Sequence, residues 1–106
     1  MPTFEDREKE FEARFKHDQE LNFKVTARRN RLLALWAAQQ MHLAGEAAED
    51  YAKSVVEAQL AHGGDRNVVA KLNADLAAKG ASVTEAQLRH QLEHFTRQAR
   101  HQIMQE

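Results

Sequence analysis

Val83-Thr84-Glu85-Ala86-Gln87-Leu88 reads as the opening of a helix, and the rest of the chain parses outward from it. Thr84 and Gln87 stand three residues apart, so each side chain can reach the backbone N–H of the other, as in a capping box. Val83 and Leu88 flank the pair where a hydrophobic staple needs them. Leu88, Leu92, Phe95, Ala99 and Ile103 then follow at helical spacing and mark a core-facing stripe. Gly45, the pair Gly63-Gly64, and Gly80, with Pro2 at the start, divide the chain into four segments. No segment interior holds either breaker, and all are rich in good helix formers.

The third segment begins at Asp65, an N-cap residue type, and carries Val68, Val69, Leu72 and Leu76 on one face until Gly80. The second, from about Glu46 to Ala61, repeats Ala47/Ala48, Tyr51/Ala52 and Val55/Val56, with Leu60 closing the stripe. The first runs from about Phe4 to Leu43 and opens on Thr3 and Asp6, a weaker capping box. The expected fold is all-α, a four-helix bundle with a long first helix and a projecting or disordered N-terminal arm. Connections of about two to five residues make neighbouring helices antiparallel. Some 40 helical residues span about 60 Å. Either one end projects, or the helix breaks, and the polar run His17-Asp18-Gln19-Glu20 is where a break is expected.

The chain has 106 residues, enough for one small domain, and 42% are hydrophobic; 18 of those are alanine, which leaves few large apolar side chains for a core. With no cysteine, a disulfide scaffold and a cysteine-based zinc site are excluded. No run of about 18 apolar residues exists, so membrane insertion is not expected. No secretory signal pattern is present, and the default location is the cytoplasm. A net charge of −1 argues against general nucleic-acid binding, which needs phosphate neutralisation.

The first twenty residues differ from the rest. Between Glu5 and Glu20, 11 of 16 side chains are Asp, Glu, Lys or Arg. Phe4, Phe11 and Phe15 are spaced by seven and eleven residues, which returns them to within about 20° of one direction on a helix. Burying three phenylalanines gains about 5–9 kcal/mol, whereas ordering about fifteen residues costs at least about 15 kcal/mol of backbone entropy. Hydrogen bonds narrow the gap, but such a segment is marginal until another surface covers its apolar line. The blander alternative is that Phe11 and Phe15 cover the end of the bundle. From Leu21 onward, Leu21, Phe23, Val25, Leu32, Leu33, Leu35, Trp36 and Met41 are dense enough to face a core on more than one side. Residues 1–20 are therefore read as a partner-seeking arm and 21–106 as the folded bundle.

Other clusters carry weaker chemistry. Lys24, Arg28 and Arg31 share a face of the first helix, with Arg29 turned away, and converging donors of this kind can hold a phosphate. No Gly-rich phosphate loop accompanies them, and a solvated face that pairs with acids of neighbouring helices is the favoured reading. His90 and His94, one turn apart, can grip a transition metal, but no third ligand is evident. His17 lies at the junction of arm and bundle, where protonation can alter the arm's stability. No nucleophile–base arrangement exists, and capping explains Thr3 and Thr84, so an enzyme reading has little support.

The stretch Thr3 to Trp36 resembles the zeta subunit family, the alphaproteobacterial inhibitors of the F-type ATP synthase. The resemblance rests on Thr3-Phe4, Asp6-Arg7-Glu8, Phe15, Asp18 through Leu21-Asn22-Phe23-Lys24, and Ala27-Arg28-Arg29-Asn30 leading into Leu32-Leu33 and Leu35-Trp36-Ala37. It continues more loosely through Tyr51-Ala52, Val55-Val56, Asp65, Lys71-Leu72, Ala74-Asp75-Leu76 and Gln102-Ile103-Met104. The resemblance implies a four-helix bundle, monomeric when free, whose N-terminal arm enters a catalytic alpha/beta interface of the ATPase head and contacts the gamma shaft. It implies a block of rotation in the hydrolytic direction, at the cytoplasmic face of the inner membrane. It places the inhibitory contacts at Phe4, Glu5, Asp6, Arg7, Phe11, Arg14 and Phe15. It also implies ADP or ATP as a regulatory ligand of the bundle, for which Lys24, Arg28 and Arg31 are the candidate residues; no other cofactor is expected. Three readings compete with this one: a nucleotide-sensing bundle that gates the arm, a helical module with another partner, and a metal-binding bundle using His90 and His94.

Overall fold

A computed structural model describes residues 3–106; Met1 and Pro2, the first residues of the expected arm, lie outside them. Four helices follow in order: α1 Phe4–Gln40, α2 Gly45–Ala61, α3 Asp65–Ala78 and α4 Glu85–Met104. Among the described residues there is no strand, and the all-α four-helix expectation holds.

Both predicted capping boxes are formed. Thr84 Oγ1 accepts from the Gln87 N–H at 3.1 Å, and the Thr84 N–H donates to Gln87 Oε1 at 2.9 Å. Thr3 and Asp6 pair in the same reciprocal way at the start of α1. Of the expected staple, Leu88 belongs to the buried core and Val83 is half-buried against it. The start of α3 differs from expectation. Gly64, at φ +117°, is the N-cap, and Asp65 is the first helical residue with no capping bond. Asn67 Nδ2 instead ties the turn by donating to the carbonyls of His62 and Gly63.

The end of α1 also falls short of Leu43. His42, at φ +61°, turns the chain in the left-handed region, and the Leu43 N–H donates back to the Ala38 carbonyl at 2.9 Å. That closure is the Schellman pattern, made here on a histidine where glycine is usual. No break occurs at His17–Glu20, because helical hydrogen bonding continues unbroken from Phe4 to Gln40. That run contains no glycine or proline to interrupt it, and a polar composition alone does not end a helix. The molecule is accordingly elongated, 63 × 25 × 23 Å, with α1 accounting for about 55 Å of its length.

α1 packs chiefly on α2 and α4, with α3 closing the remaining side. Leu33, Ala34, Ala37 and Met41 of α1 meet Ala52 and Val55 of α2, Val68, Val69, Leu72 and Leu76 of α3, and Leu88 and Leu92 of α4 in one core. Small residues on α1 let the helices approach closely, which is how an alanine-rich chain fills a core. The connections run 41–44, 62–64 and 79–84, the last of these one residue longer than the expected range. Three residues expected to face the core do not: Ala47 is exposed, and Phe23 and Leu60 are 60% and 61% exposed.

Candidate functional site

The N-terminal half of α1 stands apart from the core. Every residue from Thr3 to Glu20 is exposed, and Leu21 is the first to be half-buried. Phe4, Phe11 and Phe15 are 77%, 72% and 56% exposed. The rings of Phe11 and Phe15 stack on each other, centroids 6.5 Å apart and nearly coplanar in tilt at 8°. They therefore do not cover the end of the bundle, as the blander alternative required. The line is flanked by Glu5, Asp6, Arg7 and Arg14, all exposed. A charged helix with one narrow apolar edge can fill a cleft that has a few hydrophobic pockets and polar walls.

The basic cluster on the next turns of α1 is already engaged. Arg28 donates to Gln102 Oε1 at 3.0 Å and pairs with Glu106 at the end of α4. Arg31 pairs with Glu49 of α2 at 2.9 Å. These contacts are the helix-to-helix pairings weighed above against a phosphate site. Lys24 is exposed beside them, and an open groove of about 370 Å³ runs past Lys24, Arg28 and Arg31.

His90 and His94 are both exposed, and among the described residues no three His, Cys, Asp or Glu side chains come together as a metal site. His94 sets its ring edge-on to Phe95 at 5.0 Å. His90 lines an open groove of about 500 Å³ with Trp36, Val83 and Gln87. His17 is exposed on the arm side of the junction.

Two interhelical polar contacts, one at buried Arg29 and one at half-buried Tyr51, escaped hydrophobic patterning. Arg29 is only 6% exposed; its Nε and Nη2 donate to Asn30 Oδ1 at 3.2 and 2.9 Å, and Nη1 lies 2.9 Å from Asp65 Oδ1 at the start of α3. The Tyr51 hydroxyl donates to Asp75 Oδ2 at 2.7 Å, and the same oxygen lies 3.3 Å from Lys71 Nζ. Burial raises the Tyr51 phenol far above its usual range, and the hydrogen bond to Asp75 and that carboxylate's charge raise it further. Both contacts tie α3 to its neighbours, Arg29 from α1 and Tyr51 from α2. The missed signal at Arg29 is its phase: it lies four residues after Val25 and four before Leu33, on the core side of α1.

The family model for ATPase inhibitor subunit zeta matches residues 1–102. The chain belongs to this family. Zeta membership supports a role as an inhibitor of the ATP synthase, a non-catalytic regulatory protein that binds that enzyme. No curated protein and no solved structure matches the chain. Among the described residues no helix is long and apolar enough to cross a membrane.

Proposed function

We propose that residues 1–20 are an inhibitory arm that enters a catalytic alpha/beta interface of the ATP synthase head, reaches the gamma shaft and blocks rotation in the hydrolytic direction. The observation that carries this reading is the exposure of Phe4, Phe11 and Phe15 along one edge of a helix that leaves the bundle. Those rings supply the apolar contacts; Glu5, Asp6, Arg7 and Arg14 meet polar and charged groups at the cleft walls. The block is steric, so it requires no chemistry from the inhibitor. Binding to the head would hold the protein at the cytoplasmic face of the inner membrane.

Adding the purified protein to purified ATPase head and measuring hydrolysis tests the reading. A chain lacking residues 1–14 should lose inhibition while its helix content beyond residue 21 and its cooperative unfolding persist. Phe4→Ala combined with Phe15→Ala should weaken binding by about 3–6 kcal/mol, given about 1.5–3 kcal/mol for each buried aromatic. Full inhibition by the truncated chain would remove the arm from the mechanism.

An adenine nucleotide at Lys24, Arg28 and Arg31 has a specific energetic obstacle. Its phosphates would have to displace Glu106 and Gln102 from Arg28 and Glu49 from Arg31. A nucleotide bound there would therefore loosen the end of α4, and calorimetric titration with ADP and ATP reads that affinity directly.

A further inference from the structure

We propose that Phe23, Leu60 and Met104 form an apolar shoulder that seats on the ATP synthase head beside the mouth of the cleft that takes the arm. The proposal rests on the arm reading above and adds a second contact surface to it. Six large apolar side chains are exposed among the described residues: Phe4, Phe11, Phe15, Phe23, Leu60 and Met104. Three are the arm's line. The other three come from three different helices, and all stand at the same end of the bundle.

The helix directions put them there. α2 and α4 both run antiparallel to α1. Arg31 meets Glu49 early in α2, while Phe23 shares a groove with Val56 a further two turns along. Trp36 lies beside Gln87 at the start of α4, while Arg28 reaches Gln102 near its end. Leu60 is the penultimate residue of α2 and Met104 the last of α4, so both project at the level where α1 leaves the bundle. Phe23, Val56 and Ile103 line one open groove of about 370 Å³ at that level. At the opposite end the large apolar side chains Trp36, Leu43 and Val83 are half-buried against the core. A single exposed leucine needs no explanation, but large apolar side chains from three helices at one end mark a surface that is covered in use.

The unbroken helix identifies what covers it. The arm and Phe23 belong to one uninterrupted helix, and Leu60 and Met104 are carried by the two helices packed on it. Phe15 and Phe23 are eight residues apart, about 12 Å along the axis. A cleft that grips Phe15 therefore brings its own rim to Phe23, and the bundle end must meet that rim. A rim lined with apolar groups completes the contact and fixes how the bundle is turned about the arm.

The chain has no cysteine, so one introduced thiol is labelled uniquely. With saturating ATPase head, maleimide labelling of Leu60→Cys should slow about tenfold, as for a side chain closed into an interface core. Lys79→Cys, at the far end, should label at the free rate. Undiminished labelling at position 60 while inhibition is intact would overturn the shoulder and leave the arm standing. In parallel, Phe23→Ser/Leu60→Ser/Met104→Ser should inhibit about ten- to a hundredfold more weakly. Full inhibition by that triple variant overturns the shoulder as well. Full inhibition by Phe4→Ala/Phe15→Ala instead defeats the arm reading, and the shoulder falls with it. Protection of position 60 in the chain alone at high concentration would assign the patch to self-association and overturn the proposal.

Discussion

Arg29 and Tyr51 show how single polar side chains hold α3 in place. Arg29 is a permanently charged group in an otherwise dry position, kept there by Asn30 and by Asp65, whose carboxylate is itself open to water. Arg29→Ala removes the packing and leaves Asn30 Oδ1 buried without a donor, which should cost about 2–3 kcal/mol in urea unfolding. The cost stays below that of a fully buried pair because water screens the Asp65 side. Tyr51 makes a prediction about pH. Its phenol titrates higher in the folded chain than in the unfolded one, so the proton it keeps stabilises the fold. That contribution is complete below about pH 10, the unfolded value, and is lost as pH rises from there toward the folded value. Tyr51→Phe should therefore flatten the alkaline fall in stability. Tyr51 is the single tyrosine, so phenolate absorbance should appear together with unfolding and not before it. Arg29 was legible only through its phase between Val25 and Leu33, because an arginine is ordinarily taken for surface, and the Tyr51 ring is taken for simple core.

At the scale of elements, α4 was the most legible. Thr84 and Gln87 fix its start, and its stripe is continuous, so local chemistry and tertiary packing agree. α1 was legible at its start but not in its continuity through His17–Glu20 or at its end. The helix stops at Gln40 because His42 takes a left-handed conformation that no glycine announces. Such a conformation costs an L residue about 1–2 kcal/mol. Glycine would remove that strain and give back about 0.5–1 kcal/mol to the unfolded chain's freedom. His42→Gly should thus stabilise the protein by about 0.5–1 kcal/mol, read as a rise in melting temperature. The start of α3 was misplaced by one residue for the complementary reason: Gly64 supplies a backbone conformation that Asp65 cannot, and Asn67 does the tying that an N-cap side chain would do. In the candidate site, the phenylalanine line was visible from spacing alone. Whether it was stored or displayed depended on where the bundle ends in space, which sequence spacing does not contain.

For the molecule as a whole, a continuous α1 means that arm and bundle share one helical phase. One alanine inserted between Lys16 and Asn22 would turn the phenylalanine edge by about 100° relative to the bundle and advance it by only about 1.5 Å. Seven inserted residues would restore the angle to within about 20° and move the edge about 10 Å farther out. If the head holds both the arm and the bundle, the single insertion should reduce inhibition of hydrolysis more than tenfold, a loss of about 1.4 kcal/mol or more. A chain that inhibits normally with the single insertion would mean that only the arm is gripped. Orientation and reach are thereby separable by insertion length, because a straight helix transmits angular position like a keyed axle. The bundle is then an indexing device that sets which way the aromatic edge points before it ever meets the motor.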